Sequence, residues 1–375
     1  LPLMAIRKRA WVAPDGTAKQ AWLVDYRDIA GKRRSRQFTR KKDAETFALT
    51  AATQVRDGTH THDRDSIDVA AAADLWIAKS EREGRERSTV KSYRELARLH
   101  IVPLIGGLRL SRLTRPQVES FRDQLLDTRS KAMAGKAVRS LSMIISEAQR
   151  RGLVAQNVAQ GVKVVRASRD REPVVVPAAT ELRALLQAAR DEERPIVGLL
   201  ISSGMRSSEL RGLDWSAIDL KAATVTITQR ADAWGVIGPP KSRAGRRTIP
   251  LPPEVVKELK AHKLRTGGKG LLLPSATGGP LRRENLLRRW WAPLCARARL
   301  SDAQGTRFGM HALRHAAASN WISAGVDLKR LQSWLGHASA QMTLDTYGHL
   351  MADDKRDTAL AHAASRGIFG SASAT

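Results

Sequence analysis

His311, Arg314, His315, His337, Tyr347 and His349 fall within one stretch, residues 308–350, and bring imidazoles, a guanidinium and a phenol together. A helix starting near Met310 would put His311, Arg314 and His315 on one face, because positions three and four apart are neighbours. The i,i+4 pair of His311 and His315 has the spacing of a helical zinc site. Such a site needs Glu directly after the first His, as base for the bound water. Ala312 stands there, and the fixed charge of Arg314 opposes a dication on the same face. Metal chemistry is therefore set aside, and neither a metal nor any other cofactor is expected. A core helix with merely satisfied imidazoles explains any one of these His residues. It does not explain cation, imidazole and phenol recurring together beside helix ends suited to an anion.

The elements that must position them can be drawn from the same stretch. Residues 328–335 read as a second helix, with Leu328, Leu331, Trp334 and Leu335 in an apolar stripe. Gly336 follows where helices commonly stop in the left-handed conformation, and His337 comes straight after that stop. Ser339 then caps a short helix that carries the chain to Tyr347. Upstream, an apolar helix over 195–203 ends at Gly204. Arg206 and Glu209 follow three apart, so the carboxylate faces back toward the guanidinium; alone this is an i,i+3 ion pair of little worth. Strands over 224–229 and 247–251 flank the basic run Lys241-Ser242-Arg243, which alone reads as a loop that touches phosphate.

The chain has 375 residues, with 64 Lys and Arg against 37 Asp and Glu, for a formal charge of +27. That excess argues for a polyanionic partner, and nucleic acid is the commonest. The hydrophobic fraction of 42% supports folded cores rather than a disordered basic tail. Cys295 is the single cysteine, so no disulfide forms within the chain and a thiolate zinc site is excluded. No apolar run reaches the ~18 residues of a membrane span, and no secretory leader is evident. A cytoplasmic, nucleoid-associated protein without a membrane partner is expected. Leu1, Pro2 and Leu3 precede Met4 and are set aside from the fold reading.

Earlier segments alternate like strands and then turn helical. Residues 9–12, 21–27 and 33–38 read as three strands, with Asp15-Gly16 a turn. Trp22, Val24 and Tyr26 share one face of the second. Residues 41–55 form a helix with Ala44, Phe47, Ala48, Ala51 and Val55 buried. Residues 58–68 are polar and read as a linker, with His60 and His62 solvated. Helices follow over 69–79, 89–100, 116–126 and 138–150, with Pro103 and Gly106-Gly107 interrupting the second. Thr114 to Gln117 has capping-box spacing. Residues 162–177 form a basic second linker. Residues 282–289 suit a helix with Leu281, Leu286, Leu287 and Trp290 inward and four Arg outward. The Gly/Ser/Ala-rich tail carries Ile368 and Phe369.

Three blocks together resemble the tyrosine recombinases, the phage-integrase family. That family carries H-x-L-R-H, L-G-H and, about ten residues later, T-x-x-x-Y. This chain has His311-Ala312-Leu313-Arg314-His315, Leu335-Gly336-His337 and Thr343-Leu344-Asp345-Thr346-Tyr347, in that order. Met205-Arg206-Ser207-Ser208-Glu209-Leu210 resembles the family's first block, with Ser203 for the usual Thr. Lys241, Ser242, Arg247, Ile249, Pro250 and Leu251 fit its β-hairpin pattern, in which the Lys is catalytic; Lys241 is the candidate, with Arg243 its chief local competitor. Ala312 stands where the family often has Asp.

The resemblance implies a multidomain fold, mainly α with small β-sheets. A three-stranded β plus helix arm-type DNA-binding domain would span 5–60, a helical core-binding bundle 65–165 and an α+β catalytic domain 174–375. In that family the core-binding and catalytic domains grip opposite faces of DNA. The implied activity is a metal- and ATP-independent DNA strand transfer through a 3′-phosphotyrosyl intermediate, integrating or excising a phage or mobile element. Tyr347 would be the nucleophile and His311 its proton acceptor. Arg206 and Arg314 would clamp the phosphate, Lys241 would protonate the leaving oxygen, and His337 would donate to phosphate. Glu209 would orient Arg206, and His315 would support the helix face. Implied partners are double-stranded attachment-site DNA, three further copies in a homotetramer on DNA, a DNA-bending host factor and an excisionase. The tail would dock on a neighbouring protomer. The alternative is a sequence-specific DNA-binding protein on the same scaffold that no longer cleaves.

Overall fold

The computed structural model describes residues 4–58, 60–165, 175–302, 305–350 and 365. Contacts divide the chain into two compact units, Leu1–Arg171 and Glu172–Thr375. Ile368 and Phe369, and most of the second linker, lie outside the described residues. No helix among the described residues is long and apolar enough to cross a membrane.

The first unit opens with β1 (Ala5–Val12), β2 (Ala18–Arg27) and β3 (Arg33–Phe38), antiparallel in that order. Asp15 and Gly16 make the first turn: Gly16 takes φ 79°, and Asp15 accepts a hydrogen bond from the Thr17 N–H at 3.0 Å. The alternation of Trp22, Val24 and Tyr26 aims one face of β2 at α1 (Lys41–Arg56), where Val24, Tyr26, Ala44 and Ala48 are buried.

The chain between this piece and the next is not a solvated linker. His60 is buried; its Nε2 meets the Tyr26 hydroxyl at 2.7 Å and its Nδ1 meets Gln54 Oε1 at 3.1 Å. Burial lowers the His60 pKa and pushes Tyr26 up to about 12. Arg109 Nη1 donates to the carbonyls of Asp63 at 2.6 Å and Ser66 at 3.0 Å, which straps the segment down. Composition marked residues 58–68 as loop; it carried no sign that a phenol and a guanidinium elsewhere would capture it.

The bundle comprises α2 (Val69–Arg82), α3 (Arg87–Leu96), α4 (Val102–Ile105), α5 (Arg115–Thr128) and α6 (Lys131–Arg150) around Ile101, Val118, Phe121, Leu141 and Ile144. Pro103 was expected to break the second helix. Instead α3 runs into α4 through a π-turn at Ala97–Ile101. Proline lacks an N–H and crowds the carbonyl four residues back; the wider turn relieves both problems. Glu147 on α6 is buried and receives Lys79 at 2.8 Å, Arg150 at 2.7 Å and Arg151 at 2.9 Å.

The second unit contains α7 (Ala179–Ala188), α8 (Arg194–Ser203) and α9 (Ser207–Arg211), then β4 (Ile218–Asp219), β5 (Thr224–Ile227), β6 (Arg230–Ala231), β7 (Ile237–Gly238) and β8 (Arg247–Pro250). Antiparallel β4, β5 and β8 form one sheet, and β6 and β7 a separate ribbon. There follow α10 (Pro253–Thr266), α11 (Arg283–Asn285), α12 (Ala292–Arg297), α13 (His311–Ser323), α14 (Leu328–Leu335) and α15 (Ala340–Tyr347). One core gathers Leu199, Leu210, Ile249, Leu259 and Leu313. Another gathers Ala318, Ile322, Leu331, Leu335 and Tyr347. A π-turn at Leu286–Trp291 joins α11 to α12. Its wider geometry rotates the apolar face, so Trp291 rather than Trp290 is fully buried.

Candidate active site

The last turn of α14 assembles the site. A helix leaves its final carbonyls without intrahelical partners and carries partial negative charge there. Backbone N–H groups satisfy the first of them: Gly336 N donates to Ser333 O at 2.9 Å and His337 N to Gln332 O at 3.1 Å. Three guanidiniums take the next three. Arg247 Nε donates to Trp334 O at 2.6 Å, Arg314 Nη2 to Leu335 O, and Arg206 Nη2 to Gly336 O at 3.3 Å. Arg206 precedes α9, Arg247 opens β8 and Arg314 sits in α13. One helix end therefore gathers cations from three distant parts of the sequence.

Gly336 permits this approach. Its φ is 63°, a left-handed value that costs a non-glycine residue. A Cβ there would lie 2.8 Å from Ala244 O and 3.0 Å from Arg247 Cδ. The glycine in Leu335-Gly336-His337 thus meets a packing requirement as well as a conformational one.

Glu209 ties the cluster from below. It is buried and accepts Arg247 through both oxygens, at 3.0 and 2.8 Å. Arg206 Nη1 reaches the same carboxylate at 2.8 Å. Burial alone would raise the Glu209 pKa, but the hydrogen bonds and charge of Arg247, with Arg206, hold it at about 2. Arg314 is 2% exposed, and Nη1 also donates to Gly204 O at 2.8 Å. Burial and then Arg206 bring its pKa down to about 9. Three guanidiniums against one carboxylate leave excess positive charge, and bidentate guanidinium geometry suits a phosphate.

The imidazoles are arranged around that charge. His337 is buried, with Nδ1 2.9 Å from the Thr343 hydroxyl. Burial, then Arg314 and Arg206, lower its pKa to about 4. The Tyr347 hydroxyl is hydrogen-bonded to His315 Nδ1 at 2.8 Å, not to His311 as expected. His311 instead meets His315 edge-on, with ring centroids 4.9 Å apart. One helical turn separates the two His, and α15 enters the site at the level of the second. Burial, then His311 and Arg314, lower the His315 pKa to about 4. His311 is displaced downward by partial enclosure, then by Arg314 and Arg206. Tyr347 is 1% exposed, and burial raises its pKa although Arg314 opposes the shift.

The structure therefore joins Arg206, Glu209, Arg314 and His337 at the α14 end, and His311, His315 and Tyr347 through ring contacts. Lys241 is not joined to them. It is exposed on the loop between β7 and β8 and makes no hydrogen bond or ion pair with the described residues. That loop approaches the cluster at Ala244 and Gly245, whose carbonyls lie beside Gly336 and Arg247. Arg247 fits the family's hairpin pattern, but nothing in the sequence alone assigned it a role. Its signal was the Arg two residues before a buried Ile249 at a strand start, which points inward with it. Ser203, where the family pattern has Thr, bonds Leu199 O at 2.6 Å and is fully buried.

Residues 178–353 match the sequence model of the phage integrase family. An integrase from Streptomyces ambofaciens is 28% identical over 304 residues, covering 74% of this chain and 75% of that protein. A tyrosine recombinase XerC-like protein from Caldanaerobacter subterraneus subsp. tengcongensis is 23% identical, covering 88% of this chain and 91% of that protein. Among solved structures, the Tn1549 transposon integrase in complex with transposon right end DNA has a TM-score of 0.66 at 20% identity. It covers 80% of this chain and all 100% of its own. A lambda integrase tetramer bound to a Holliday junction has a TM-score of 0.59 at 19% identity, with 88% and 96% covered. These structural likenesses establish the fold, three-stranded N-terminal sheet included.

Proposed function

Because this chain belongs to the phage integrase family of tyrosine recombinases, we propose that it is a site-specific DNA recombinase that cuts and rejoins duplexes through a 3′-phosphotyrosyl intermediate. The carrying observation is the Tyr347 hydroxyl bonded to His315 on the helix whose Arg314 shares the α14 end with Arg206. Arg206 and Arg314 hold the non-bridging oxygens and stabilise charge developing at phosphorus. Tyr347 Oη attacks phosphorus, and the bond to the 5′ oxygen breaks. With its own proton on Nε2, His315 Nδ1 takes the phenol proton, a requirement because a phenol near pKa 10 is otherwise a poor nucleophile. His311 packs against His315, and His337 donates to a phosphate oxygen. Lys241 gives a proton to the departing 5′ oxygen once its loop closes on DNA. A 5′ hydroxyl from a second duplex reverses the step, so the linkage energy is conserved without ATP or metal.

In this reading residues 5–60 bind arm-type sites, 65–165 the core site, and 174–375 perform catalysis. The net charge of +27 supports a DNA partner. Four copies act on two attachment sites of a phage or mobile element, with a bending host factor and an excisionase setting direction. The test is a nicked duplex carrying the crossover site, from which the short 5′ strand diffuses away and leaves a trapped adduct. Tyr347→Phe should abolish the adduct while leaving affinity nearly unchanged, because affinity rests on phosphate contacts by Lys and Arg. No adduct with the unaltered protein would favour a non-cleaving DNA-binding protein. An adduct with Tyr347→Phe would move the nucleophile elsewhere.

A further inference from the structure

Arg211 is a buried guanidinium with no carboxylate bonded to it among the described residues. Nη1 donates to Asp232 O at 2.6 Å and Leu281 O at 3.0 Å, and Nη2 to Ala231 O at 2.8 Å. Its Nε has no hydrogen-bond partner, and the residue is 2% exposed. Burying a cation against carbonyls alone is costly, and an apolar side chain would fill the space more cheaply. An arrangement of this kind calls for a reason beyond stability.

The acceptors indicate one. Ala231 and Asp232 belong to the β6–β7 ribbon, which pairs at two positions only, Arg230 with Gly238 and Ala231 with Ile237. A two-stranded ribbon that short is not stable alone in water. Ala231 is buried but small, and Ile237 and the neighbouring Val236 are exposed, so apolar packing of the paired strands is confined to one small side chain. The Asp232 carboxylate shapes the turn through the N–H groups of Trp234 and Val236, both at 2.9 Å, while its carbonyl takes Arg211. Next to Arg211, Gly212 passes so close to the ribbon that a Cβ would lie 2.7 Å from the Arg230 carbonyl carbon. Gln229 Nε2 also donates to Gly212 O at 2.8 Å.

Lys241 follows this ribbon, and Arg247 follows Lys241. The loop at 239–246 therefore has both roots fixed to α9. Arg211 and Gly212 hold the upstream root, and Glu209 holds the downstream root through Arg247. That helix also follows directly from Arg206. Between these roots Lys241 is exposed and makes no hydrogen bond with the described residues, so the volume its side chain sweeps is set by where the roots sit. We propose that Arg211 is a positioning residue: it sets the reach of Lys241 toward the phosphate that Arg206 holds. The proposal rests on the strand-transfer reading above.

A leaving-group substitution tests it. An alkoxide leaving from phosphorus needs a proton, whereas a thiolate, the conjugate base of a thiol near pKa 8.5, leaves without one. Adduct formation is compared on nicked crossover-site duplexes with oxygen or sulfur at the 5′ bridging position. Arg211→Met should lose about 100-fold on oxygen and no more than about 3-fold on sulfur, the scale of a general acid's contribution, with DNA binding retained. Arg211→Lys, which keeps donors for the carbonyls, should recover part of the loss. Equal losses on both substrates, or no loss on oxygen, would overturn the proposal. If Arg211→Met does not fold, Gln229→Ala removes one bond of the same root and should show a smaller loss with the same preference for sulfur; no preference there also overturns it. Failure of the unaltered protein to cleave the oxygen duplex sinks the strand-transfer reading. Lys241→Ala without rescue by sulfur removes Lys241 as the acid. Each differs from the Arg211 pattern.

Discussion

Two buried carboxylates, one in each unit, solve the same electrostatic problem to different ends. Glu147 and Glu209 are each nearly excluded from water, and in each burial is outweighed by cations that hold the pKa at about 2. The Glu147 partners Lys79, Arg150 and Arg151 are 29, 60 and 33% exposed, and their ends reach solvent. The Glu209 partner Arg247 is 2% exposed and continues to Trp334 O; Arg206 continues to Gly336 O. A carboxylate alone gathers cations. A carboxylate plus a helix end aims them, because each guanidinium then has two fixed points. The first arrangement staples helices, and the second presents charge in a chosen direction.

Glu209→Gln is the most severe way to break the second arrangement. It leaves Arg247 buried without a counter-charge, which should cost about 3–5 kcal/mol in chemical denaturation. Adduct formation should fall at least about 100-fold, the scale of losing aligned transition-state charge. Gly336→Ala attacks the same site from the helix end. Its conformation alone should cost about 1–3 kcal/mol, and the contact with Ala244 O should push the 239–246 loop away. Denaturation and adduct assays on one preparation would separate the two effects.

Acid should distinguish the groups in sequence. His315 and His337 have folded pKa values near 4 against an ordinary 6.5. Their contribution is complete above pH 6.5 and is lost as pH falls toward 4. Glu147 and Glu209 are depressed from 4.5 to about 2, so their contribution is complete above 4.5 and is lost as pH falls through 2. Stability measured by denaturant titration should therefore fall in two stages, and His337→Gln should flatten the upper one. An unchanged upper stage would remove His337 from that account. The smallest effect belongs to Glu147→Gln, about 1 kcal/mol because its cations are solvated. Molar salt should erase most of that difference and leave the Glu209→Gln difference largely intact.

How much of this was legible in the sequence follows the same division. The third strand and α14 were readable to the residue, because alternation, a helical stripe and Gly336 mark them. That Arg206, Arg314, His337 and Tyr347 belong together was legible through the resemblance of their blocks to the family's; taken alone, Arg206 read as an i,i+3 ion pair. The partners of Arg211 and Arg247 were not legible: Arg211 donates to backbone carbonyls, which any sequence possesses, and Arg247 meets a Glu209 that lies 38 positions earlier, together with the carbonyls of Trp334 and Gly245. The exchange of His311 for His315 as the Tyr347 partner depends on how far α15 advances along α13, which neither helix encodes by itself. The π-turn at Ala97–Ile101 escaped for a related reason: Pro103 argues for a break, and only neighbouring packing at Ile101 makes a wider turn preferable.

The burial of Tyr347 has a consequence for the protein before it reaches its target. With a charge of +27 it will meet DNA of every sequence, mostly the wrong one. Under the proposed strand transfer, a phenol open to the surface would stand ready at each such encounter. Tyr347 instead spends those encounters folded into a core beside Leu331 and Leu335, its hydroxyl already occupied by His315. In that reading, harmlessness toward the rest of the genome is the resting condition of the fold, and cutting is the exception that a correct site must draw out.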